Sequence, residues 1–578
     1  MKILSLHCDS ISFKPMKKAI KNAEEAIEEK EQTIKECLVI LTAVEKEDEA
    51  NPDMIVDKLI ENIKDIASQV KTNNIVVYPY AHLSPNLSSP SIAEKVLKDT
   101  ETKLKKDKFS VTRAPFGWYK AFDIKCKGHP LSELSRSISL QPGEEKKERG
   151  KIKQVVVEEK YDPKQLLRQI SKTRLDTEKL KDNDHRILGQ RLDLFSFNET
   201  APGMVFFHNN GLVIYNELIN FLREEHAKAG YQEISTPFIL DKKLWQISGH
   251  WEKYRENIFL TEYEGRDFAV KPMSCPGGML VFKSKPRSYK DLPLRVAEFG
   301  VVHRQELSGV LAGLFRVIKF TQDDAHIYCT EDEKQLENEI MDVVHLIEKF
   351  YKKFKLEYSV ELSTRPEKRI GAEEVWDKAE RILENVLKKN KMEYKLNKGD
   401  GAFYGPKIDF HIKDSLGRSW QCGTIQLDFA MPERFELEYA GEDNKKHRPV
   451  MLHRVVYGAV ERFMGVLLEH TSGNLPVWLS PIQARVISFT DRNIKSTEQL
   501  LKKLKDVGIR ADLDIDEKTV NNRIREAELQ KIPYILVMGD KEEENNTVAV
   551  RKRGEKPQFG IKAESLISEL LEKIKTRE

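Results

Sequence analysis

Three arginines stand in settings where a side chain could bind a phosphate group. The chain has no GxxxxGKS/T or GxGxxG loop at a strand–helix junction, so side chains would have to hold the phosphates of any nucleotide. Arginine suits this task because its planar guanidinium binds phosphate oxygens in pairs. The candidates are Arg304 in FGVVHRQE, Arg316 in GLFRVIKF and Arg462 in GAVERF. An arginine met in this way is more often a surface residue in an ion pair, so residue type alone does not decide.

The six cysteines are widely separated and form no CxxC pair. This distribution argues against a disulfide framework and against a zinc ribbon. Some of them are expected to be plain core residues, because a free cysteine packs as a small hydrophobic side chain. They are Cys8, Cys37, Cys126, Cys275, Cys329 and Cys422.

Length and composition predict a protein of several domains. At about 100–200 residues per domain, the 578 residues correspond to three or four domains. No stretch approaches the ~20 apolar residues of a membrane span, and the N-terminal MKILSLHCDSISFK lacks the features of a signal peptide. We therefore expect a cytoplasmic protein with no membrane partner. The net charge of +3 neither supports nor excludes an RNA partner, since local basic patches bind RNA.

The elements that would carry such residues begin with a compact α/β domain. Cys37–Val44 and Asn74–Tyr80 are rich in residues that favour strands. Between them, Pro52–Lys71 has apolar residues at helical spacing. Trp118–Lys127 alternates apolar and polar residues, as a half-buried strand does. We place this domain at residues 1–142.

Residues 143–190 are predicted to be a charged linker followed by a connecting helix. The stretch QPGEEKKERGKIK is poor in apolar residues, which favours a solvated segment. The later stretch QLLRQISKTRLDTEKLK has the pattern of an amphipathic helix. A spacer explains this composition more simply than a dedicated binding element does.

Residues 191–474 are predicted to form an antiparallel sheet with helices. Asn216–Ala229 predicts a helix that ends at Gly230, and YQEISTP predicts a strand that stops at Pro237. Four later stretches predict strands without intervening helices, which argues against a simple βαβ sheet. They are RVAEFGVVHR, LFRVIKFTQDDAHIYC, FYGPKIDFHIKD and RSWQCGTIQLDF.

Residues 475–578 return to an alternation of strands and helices. Strands are predicted for QARVISF, IRADLDI, PYILVMG and TVAVRKR. Helices are predicted for Ile494–Lys505, Glu517–Lys531 and Ala563–Lys575. The segment has the usual size of a separate α/β domain.

The arginine-bearing strings resemble the signature motifs of class II aminoacyl-tRNA synthetases. FGVVHRQE resembles the second motif, an Arg-x-Glu on a β-hairpin, and YGAVERF resembles the third, a glycine-rich turn that ends in Glu-Arg. The Ser-Thr-Pro at Pro237 resembles the first motif, at the dimer interface. From about Arg191 to the C-terminus, longer strings are similar to threonyl-tRNA synthetases. These strings are KPMSCPGG, DLPLRVAEFG, FTQDDAHIYC, GAFYGPKIDF, WQCGTIQLDF and MLHRVVYGAVERF.

This resemblance implies an ATP site on a class II antiparallel sheet, in a homodimer. Arg304 would hold the α-phosphate of ATP, and Glu306 would help to place the adenine. Arg316, Gln421 and Arg462 would also contact the nucleotide. Mg²⁺ and Arg304 would stabilise the charge that develops as the carboxylate of L-threonine attacks the α-phosphate. The terminal ribose of tRNA(Thr) would then attack the resulting threonyl-adenylate.

The resemblance also implies one zinc ion per subunit. Three protein ligands would leave one tetrahedral position open, and a Cys/His set suits zinc. The sequence separations of these residues are too long for spacing alone to nominate them. The implied ligands are Cys275, His326 and His453.

Zinc in such a site would serve the recognition of threonine. Threonine and valine are nearly isosteric, and a site built to bind a hydroxyl separates such a pair by ~10⁴-fold or more. Asp324 would accept the hydrogen bond of the threonine hydroxyl. The remaining residues that shape the amino-acid pocket would be Gln322, Tyr404 and Gln426.

A second, hydrolytic site is expected in the N-terminal domain. Serine lacks only a methyl group, worth ~1–3 kcal/mol or roughly 10–200-fold in discrimination, which is inadequate for translation. The strings VEKEDEANP, NIVVYPYAHLS and APFGWYKAFDIKCKGHPLSELSR resemble the N-terminal domain of archaeal threonyl-tRNA synthetases, which shares its fold with D-aminoacyl-tRNA deacylases. By residue type, Lys120 would be a solvated strand lysine. The resemblance makes it the central residue for hydrolysis of seryl-tRNA(Thr), surrounded by His82, Tyr119 and Glu133.

The last domain resembles the anticodon-binding domain of the same synthetases. Glu542 in GDKEEE and Arg551 in TVAVRKR match positions that read anticodon bases. Arginine can stack on a splayed base or hydrogen-bond to it. Lys552 and Arg553 are expected to contact phosphates, which position RNA without specifying its sequence.

The chain departs from the family pattern at three positions. Gly278 stands where the family often has His, and His303 stands where an aromatic residue is common. Neither departure removes an implied zinc ligand or phosphate contact. Asp516 stands where some relatives carry Asn, which leaves that anticodon contact open.

Three alternatives stay open at this point. The chain could be a catalytically inactive synthetase-like RNA-binding protein, whose sign would be the loss of zinc ligands or arginines. It could also be another class II synthetase, such as a seryl or prolyl enzyme, although the implied zinc ligands and the archaeal-type N-terminal domain argue against this. The N-terminal domain could be a structural appendage or a deacylase of different specificity.

Overall fold

A computed structural model describes residues 1–20, 23–25, 30–84, 86–129, 131–138, 162–170, 180–414 and 417–578. The chain divides into two compact units, Met1–Glu159 and Lys160–Glu578. Among the helices of the described ranges, none is long and apolar enough to cross a membrane. The predicted linker QPGEEKKERGKIK lies outside the described residues. Most of the predicted connecting helix does too, and its first part is a helix at Pro163–Ile170.

The first unit is a six-stranded sheet with two helices packed on one face. Its strands are β1 Lys2–Lys18, β2 Gln32–Ala43, β3 Asn74–Pro79, β4 Ser110–Arg113, β5 Trp118–Cys126 and β6 Glu133–Ser137. Its helices are α1 Pro52–Val70 and α2 Pro90–Lys106. The strands lie in the order β4-β3-β2-β1-β5, and β6 pairs with β1. The predicted α/β class of this domain is confirmed.

Helix α1 forms where the sequence predicts it, for local reasons. The side-chain oxygen of Asn51 accepts a hydrogen bond from the backbone N–H of Met54, and Pro52 occupies the first turn, where no N–H is needed. Lys71 ends the helix in the left-handed region, with φ of 53°. One face packs on the sheet. Its buried side chains are Ile55, Val56, Leu59, Ile60, Ile63, Ile66 and Ala67.

Strand β1 is long enough to pair with three neighbours. It pairs with β2 along most of its length, with β6 over its first residues and with β5 from Cys8 to Lys18. Successive side chains of β1 point to opposite faces, so the sheet has a second apolar layer on the face away from the helices. This layer includes Ile11, Phe13 and Tyr78.

The second unit begins with short elements that lead to a large sheet. The first helices and strands are α3 Pro163–Ile170, α4 His185–Arg191, β7 Phe195–Ser196, β8 Phe206–Phe207, α5 Asn209–Lys228, β9 Gln232–Glu233, β10 Ile239–Asp241, α6 Lys242–Ile247, α7 His250–Tyr254, β11 Leu260–Tyr263, β12 Arg266–Val270 and α8 Cys275–Lys283. Strands β10, β12 and β11 form a small sheet, and β7 pairs with β8.

The large sheet has eight strands and is mainly antiparallel. The elements that follow α8 are β13 Leu294–His303, β14 Lys319–Cys329, α9 Glu333–Lys353, β15 Tyr358–Ser363, α10 Glu373–Lys389, β16 Lys395–Asn397, β17 Lys407–Lys413, β18 Ser419–Asp428, α11 Ala430–Arg434, β19 Tyr439–Ala440, β20 Lys446–His447, β21 Val450–Val455 and α12 Val460–Thr471. Strands β19 and β20 form a separate two-stranded sheet, and the other strands join β9 in the large sheet. The strand order is β16-β15-β17-β18-β21-β14-β13-β9. This confirms the predicted antiparallel sheet.

The predicted elements of this sheet are confirmed with some changes in length. The four predicted antiparallel strands are β13, β14, β17 and β18, and β21 lies between β18 and β14. The predicted helix Asn216–Ala229 starts earlier, at Asn209. The predicted strand YQEISTP shortens to Gln232–Glu233, because only these two residues pair with β13.

Helix α4 belongs to the core of the second unit, although the predicted linker extends to residue 190. His185 is buried, with Nδ1 2.8 Å from Glu469 Oε1, and its Nε2 accepts a hydrogen bond from the backbone N–H of Leu314 at 3.0 Å. Leu188 packs into the same apolar core as helices α5, α9 and α12. The packed unit therefore begins before Arg191. A helix of seven residues is too short for its periodicity to identify it.

The last part of the second unit is a five-stranded sheet with helices. Its elements are β22 Ala484–Ser488, α13 Ile494–Asp506, β23 Ala511–Asp514, α14 Val520–Leu529, β24 Tyr534–Met538, α15 Asp540–Asn545, β25 Thr547–Lys552, β26 Gln558–Lys562 and α16 Ala563–Thr576. The strand order is β23-β22-β24-β25-β26. The predicted strands and helices are confirmed, whereas α15 and β26 are short additions. Arg510 Nη1 joins this part to helix α5 through Glu217 Oε1, at 2.8 Å.

Candidate functional site

The large sheet carries a cavity of about 380 Å³ over strands β14, β18 and β21. Nine of the residues that the family resemblance implies line this cavity. They are Cys275, Arg304, Gln322, Asp324, Tyr404, Gln421, Gln426, His453 and Arg462. Three others lie next to it: His326 is buried in the sheet, and Glu306 and Arg316 lie in the connection between β13 and β14.

The two-residue period of β14 places three of these side chains together. Gln322, Asp324 and His326 alternate with Thr321, Asp323 and Ala325, which face the other side of the strand. The antiparallel pairing then brings His326 opposite His453 on β21, and His453 opposite Gln426 on β18. Strand register therefore assembles residues that are more than a hundred positions apart in the sequence.

An irregularity in the β17–β18 pairing brings Gln421 to the same side as Gln426. The two residues are five positions apart, so a regular strand would place them on opposite faces. The register shifts between Asp409 and His411 of β17. The shift turns Gln421 toward Thr424, and its Nε2 donates to Thr424 Oγ1 at 3.0 Å.

The donor atoms of Cys275, His326 and His453 all lie within 4.8 Å of one another, and all three residues are buried. His326 Nε2 is buried and has no hydrogen-bond partner among the described residues. Burial also lowers the pKa of His326 well below its ordinary value, so its imidazole is neutral and keeps a lone pair. A neutral, unpartnered nitrogen beside a cysteine and a second histidine fits a metal ion such as zinc.

Asp428 orients the second histidine of this cluster. Its Oδ2 lies 2.9 Å from His453 Nε2, which leaves Nδ1 of His453 as the nitrogen available for a ligand bond. Its Oδ1 accepts hydrogen bonds from the backbone N–H groups of Ala430 and Met431 at the start of α11. Asp428 is fully buried. A carboxylate held by a helix start thus fixes the ring of His453.

A second cluster of potential ligands has a different character. Asp184, His185 and Glu469 also lie within reach of a common ion. However, both ring nitrogens of His185 have partners within the chain, Glu469 and the backbone N–H of Leu314. This cluster is therefore satisfied as a structural contact.

Polar side chains lie over the cysteine–histidine cluster on the cavity side. Tyr404 Oη donates to Gln426 Oε1 at 2.7 Å. Asp324 Oδ1 lies 3.7 Å from His326 Nε2. Burial raises the pKa of the Asp324 carboxyl to about 6, an effect that the neighbouring His453 opposes. An acceptor, a hydroxyl and an amide thus surround the cluster on the cavity side.

Two of the three candidate arginines line the cavity without a carboxylate partner. Arg304 Nε donates to the backbone oxygen of Pro272 at 3.1 Å, and Arg462 donates to the backbone oxygens of Phe315 and Gln421, both at 2.8 Å. In the described part of the chain, neither arginine forms an ion pair. Backbone carbonyl contacts fix both guanidinium groups, so that donors on each stay available to an anionic ligand.

The third arginine is paired. Arg316 Nη2 lies 2.8 Å from Glu306 Oε2, and the Arg316 side chain is 46% exposed. The pair closes the connection between β13 and β14 beside the cavity. Arg316 is therefore an ion-paired arginine with an exposed side chain, as residue type alone suggested.

Asp323 is an important residue of this region that the sequence did not single out. Its carboxylate accepts hydrogen bonds from the backbone N–H groups of Val456, Tyr457 and Gly458, at 2.6, 3.2 and 2.9 Å. These residues form the turn that leads into helix α12 and Arg462. Gly458 has a φ of +77°, and a Cβ there would lie 2.7 Å from the backbone oxygen of Cys422. The sequence offered one signal for this role, which is that Asp323 and Asp324 are adjacent on a predicted strand.

The first unit has a cavity of its own, of about 430 Å³, beside Lys120. His82, Tyr119 and Lys120 line it, together with aromatic residues that include Tyr78 and Phe122. Lys120 Nζ donates to the backbone oxygens of Pro115 and Trp118, at 2.9 and 3.1 Å. Burial lowers the pKa of the Lys120 amine to about 8, which Glu24 partly opposes. The lysine is therefore largely enclosed, unlike a solvated strand lysine.

Glu133 does not join this group within the described chain. It lies on β6 opposite Leu6 of β1, whereas Lys120 lies on β5 opposite Pro15. Nine residues of an extended strand separate these positions, or roughly 30 Å at 3.3 Å per residue. The expectation that Glu133 surrounds Lys120 is therefore wrong for the single chain, because β5 and β6 pair with opposite ends of β1.

The residues expected to read the anticodon lie around β25. Arg551 is on β25 opposite Ile535, and Glu542 is on α15, where its side chain accepts a hydrogen bond from the backbone N–H of Gly539. Lys552 Nζ pairs with Glu569, at 2.7 Å. Arg553 donates to the backbone oxygens of Lys531 and Leu475. Lys552 and Arg553 thus make contacts that stabilise the domain itself, in addition to the phosphate contacts that the sequence predicts.

Three family models match successive parts of the chain. Residues 1–138 match the archaea-specific editing domain of threonyl-tRNA synthetase. Residues 259–471 match the class II tRNA synthetase core domain of the glycyl, histidyl, prolyl, seryl and threonyl enzymes, and residues 483–573 match an anticodon-binding domain. In chain order, the three matches fall on the first unit, the large sheet and the five-stranded sheet.

Solved structures decide the family. The chain is 41% identical to the RNA-binding domain of threonyl-tRNA synthetase from Cryptosporidium parvum, with a TM-score of 0.65. The match covers 67% of this chain and 98% of that one. This chain belongs to the threonyl-tRNA synthetase family. A threonyl-tRNA synthetase described as putative, ThrRS-1 from Aeropyrum pernix, is 31% identical, with a TM-score of 0.60, over 68% of this chain and 96% of that one.

Curated threonine–tRNA ligases give the same family. The ligase of Carboxydothermus hydrogenoformans is 55% identical over 401 residues, 68% of this chain. That of Desulforamulus reducens is 57% identical over 377 residues, 65% of this chain. The chain spans 63% and 59% of the length of these threonyl-tRNA synthetases, respectively.

Proposed function

We propose that the chain is a threonine–tRNA ligase, which activates L-threonine with ATP and transfers it to the 3′-terminal adenosine of tRNA(Thr). One observation carries this proposal. The buried donor atoms of Cys275, His326 and His453 lie within 4.8 Å of one another, beside a cavity that Arg304 and Arg462 also line. Neither arginine forms an ion pair with any residue that the structure describes. Such a cavity offers a site for an amino acid next to a site for a nucleotide.

The amino-acid side of the cavity would select threonine. Cys275, His326 and His453 would hold a zinc ion, which would bind the amino and hydroxyl groups of the substrate. Asp324 would accept the hydrogen bond of the hydroxyl, which valine cannot donate. Gln322, Tyr404 and Gln426 would form the rest of the pocket wall. A site that binds a hydroxyl in this way rejects the isosteric amino acid by ~10⁴-fold.

The nucleotide side would bind ATP through side chains. Arg304 and Arg462 would contact phosphate oxygens, and Gln421 and the Arg316–Glu306 pair would line the path to the adenine. Mg²⁺ would accompany the phosphates as part of the substrate. The threonine carboxylate would attack the α-phosphorus, the bond from the α-phosphorus to the oxygen that bridges to the β-phosphate would break, and pyrophosphate would leave. The fixed guanidinium of Arg304 would stabilise the charge that develops there.

The first unit would hydrolyse seryl-tRNA(Thr). The aromatic-lined cavity beside Lys120 would hold the terminal adenosine and the seryl group, with His82 and Tyr119 at its wall. Two donors of the Lys120 ammonium are used by backbone oxygens, and the third would be free for the carbonyl oxygen of the ester. Because Glu133 lies at the other end of β1, it has no assigned role in the single chain.

The remaining parts would supply tRNA binding and assembly. We infer an editing domain at 1–142, a linker that ends before α4, a catalytic domain to residue 474 and an anticodon-binding domain at 475–578, with Glu542 and Arg551 reading bases. We also infer a cytoplasmic homodimer joined near Pro237, where the neighbouring Phe238 and Ile239 are each 53% exposed. Exposed apolar side chains beside a family interface motif favour this location.

The decisive experiment is threonine-dependent exchange of pyrophosphate into ATP, with and without added zinc. We expect exchange with threonine and serine and none with valine, followed by charging of tRNA(Thr). Arg304→Ala should lower exchange by ~10²–10³-fold, because it removes a donor at the developing charge. Arg266→Ala, which changes a surface arginine paired with Asp241, is the matched control and should leave the rate unchanged.

Absence of exchange in the wild-type protein with zinc and Mg²⁺ present would overturn the proposal. Binding of tRNA(Thr) without exchange would then favour the catalytically inactive RNA-binding protein. Exchange with serine or proline but not threonine would favour another class II synthetase. Accumulation of seryl-tRNA(Thr) in wild type as well as in Lys120→Ala would reject the hydrolytic role of the first unit alone.

A further inference from the structure

Three cysteines lie side by side on three neighbouring strands of the first unit. Cys8 on β1 lies opposite Cys37 on β2 and opposite Cys126 on β5. The Sγ atoms of Cys8 and Cys126 are 3.7 Å apart. Directly opposed residues of antiparallel strands have Cα atoms ~4.5–5.5 Å apart, which lies within the ~4.4–6.8 Å that a disulfide requires.

We propose that Cys8 and Cys126 are a site of reversible oxidation, at which a peroxide converts the two thiols into a cross-strand disulfide. Cys126 would meet the oxidant, and Cys8 would close the bond. The site is separate from aminoacylation and adds a modification that the catalytic machinery does not use. Strand pairing already holds both sulfur atoms in contact, so the bond needs little movement of the backbone.

The different exposure of the two cysteines assigns their roles. Cys126 is partly exposed at the end of β5, whereas the Cys8 side chain is fully buried. Burial, together with the neighbouring Cys126 thiol, raises the pKa of the Cys8 thiol well above its ordinary value. A thiol with a raised pKa reacts slowly with peroxide. The oxidant therefore attacks at Cys126, and Cys8 acts afterwards.

The reaction balances with one peroxide. The Cys126 thiolate attacks a peroxide oxygen, so that an S–O bond forms, the O–O bond breaks, and hydroxide leaves to take up a proton as water. The Cys8 sulfur then attacks the sulfenic sulfur of Cys126. The S–S bond forms, the S–O bond breaks, and the departing hydroxide takes the Cys8 proton as a second water. Two thiols are oxidised, and one peroxide is reduced to two waters.

Cys37 is equally close in register but has a different partner. Its Sγ lies 3.7 Å from the backbone oxygen of Ile34, and the residue is fully buried. Burial raises the pKa of the Cys37 thiol to about 11. Cys37 is therefore the matched control, because it lies opposite Cys8 in the sheet but its thiol contacts the backbone oxygen of Ile34.

The proposed bond also lies on the strand face that carries Lys120. Lys120, Phe122, Ile124 and Cys126 alternate along β5 and face the same side. The disulfide would tie β1 to β5 at the end of this row, and the register shift between Cys8 and Ser10 lies next to it. Capture of the sulfenic acid by Cys8 would also stop Cys126 from passing to the irreversible sulfinic state.

The test is peptide mapping of the full-length chain after treatment with hydrogen peroxide and alkylation of free thiols. Two of the six cysteine thiols should be lost, and the chain should lose two hydrogen masses, with the peptide of Cys8 linked to that of Cys126. Dithiothreitol should restore both thiols. Cys37→Ala should give the same link. In Cys8→Ala, the link should be absent and Cys126 should instead gain two oxygen atoms.

Several outcomes would overturn the proposal. A link between Cys8 and Cys37 would show that the wrong neighbour reacts. Gain of oxygen at Cys126 of the wild-type chain, at the rate seen in Cys8→Ala, would show that Cys8 does not close the bond. Retention of all six thiols would show that the pair does not react with peroxide. The wild-type map decides the question even if a variant fails to fold.

Discussion

The cavity beside Lys120 and the cavity beside Cys275 have similar volumes, about 430 and 380 Å³, but their walls differ in kind. Among the described residues that line the first, Lys120 is the one formally charged side chain, no carboxylate is present, and most of the wall is apolar or aromatic. The second has Asp324 and three arginines in its wall, with amides and ligand atoms between them. In the second, Tyr404 donates to Gln426, and Arg304 and Arg462 donate to backbone oxygens.

This difference predicts how each site responds to substitution. In a network of buried polar groups, removal of one member leaves others without partners, and the loss is large. In an apolar cavity with one charged group, the charge itself carries the chemistry and the wall tolerates change. Substitution at many positions around the cavity beside Cys275 should thus cause a large loss of activity. Around the cavity beside Lys120, a large loss is expected at Lys120 alone.

The largest effect is expected for Cys275→Ala. Loss of one ligand should reduce bound zinc from about one per chain toward zero and lower threonine-dependent pyrophosphate exchange by ~10³–10⁴-fold, because hydroxyl recognition is lost. Metal analysis and the exchange assay measure both. Cys329→Ala, which changes a buried cysteine with no part in the cluster, is the control. Full pyrophosphate exchange by the Cys275→Ala protein without bound zinc would contradict the expectation that the cavity beside Cys275 is the more sensitive of the two to substitution.

The next effect concerns Lys120 and pH. Lys120→Ala should lower hydrolysis of seryl-tRNA(Thr) by ~10²–10³-fold, because it removes the positive donor at the ester. Since the pKa of the Lys120 amine is about 8, the ammonium form, with its third donor, is lost above that pH. The Lys120-dependent rate should therefore fall about tenfold per pH unit above pH 8.

The control for this pH dependence is the Lys120→Ala protein at each pH, which measures the spontaneous lability of the ester. Its rate is subtracted from that of the wild-type protein. A difference that rises through pH 8 and then levels off would instead assign the neutral amine as a base. Such a result would keep Lys120 central but reverse its role.

A smaller effect is expected for Asp428→Asn. The amide keeps the shape of the carboxylate but weakens its hold on the His453 ring, so zinc affinity should fall by ~10–100-fold. Competition with a chelator measures this affinity without reference to activity. Asp414→Asn, a change to another buried acid of the same sheet region, is the matched control. Unchanged zinc affinity in Asp428→Asn would show that His453 needs no orientation from this carboxylate.

The smallest effect is one of stability in the first unit. Burial of the Lys120 ammonium is unfavourable, as its pKa of about 8 against an ordinary 10.5 indicates. Lys120→Met should therefore stabilise this unit by ~1–3 kcal/mol at pH 7, while it abolishes hydrolysis. Slower hydrogen exchange of the β5 amides measures the gain in stability.

The sign of this stability effect depends on pH. Between pH 8 and 10.5 the unfolded chain binds the proton that the folded chain has lost, so the stability of the wild-type protein rises with pH in this window. The advantage of Lys120→Met should shrink there and disappear above it. An advantage that is independent of pH would show that burial of the charge is not its cause.

The sequence predicted the helices and strands better than it predicted which strands pair with one another. The antiparallel strands β13, β14, β17 and β18 follow from local patterns of apolar residues, and helix α1 follows from its cap and period. Local pattern could not show that β21 inserts between β18 and β14, because pairing depends on the whole sheet. The same limit explains Glu133, whose strand pairs with the far end of β1.

Residues that act through others were the hardest to predict. The cluster of Cys275, His326 and His453 came from a resemblance, since its spacing carries no signal. Asp428 and Asp323 have no motif of their own, because their roles arise from a ring nitrogen and from three backbone N–H groups that only the folded chain brings to them. The pairing of β14, β18 and β21 was therefore needed to identify them.

Strand β14 places two neighbouring carboxylates on opposite sides of one sheet. Asp324 faces the cavity, and Asp323 binds the turn that leads to Arg462. Insertion or deletion of a single residue in this strand would exchange the two faces and spoil both functions at once. Over evolution, β14 can therefore change by substitution but hardly by length, and the family's variation in length should concentrate in the loops at its ends.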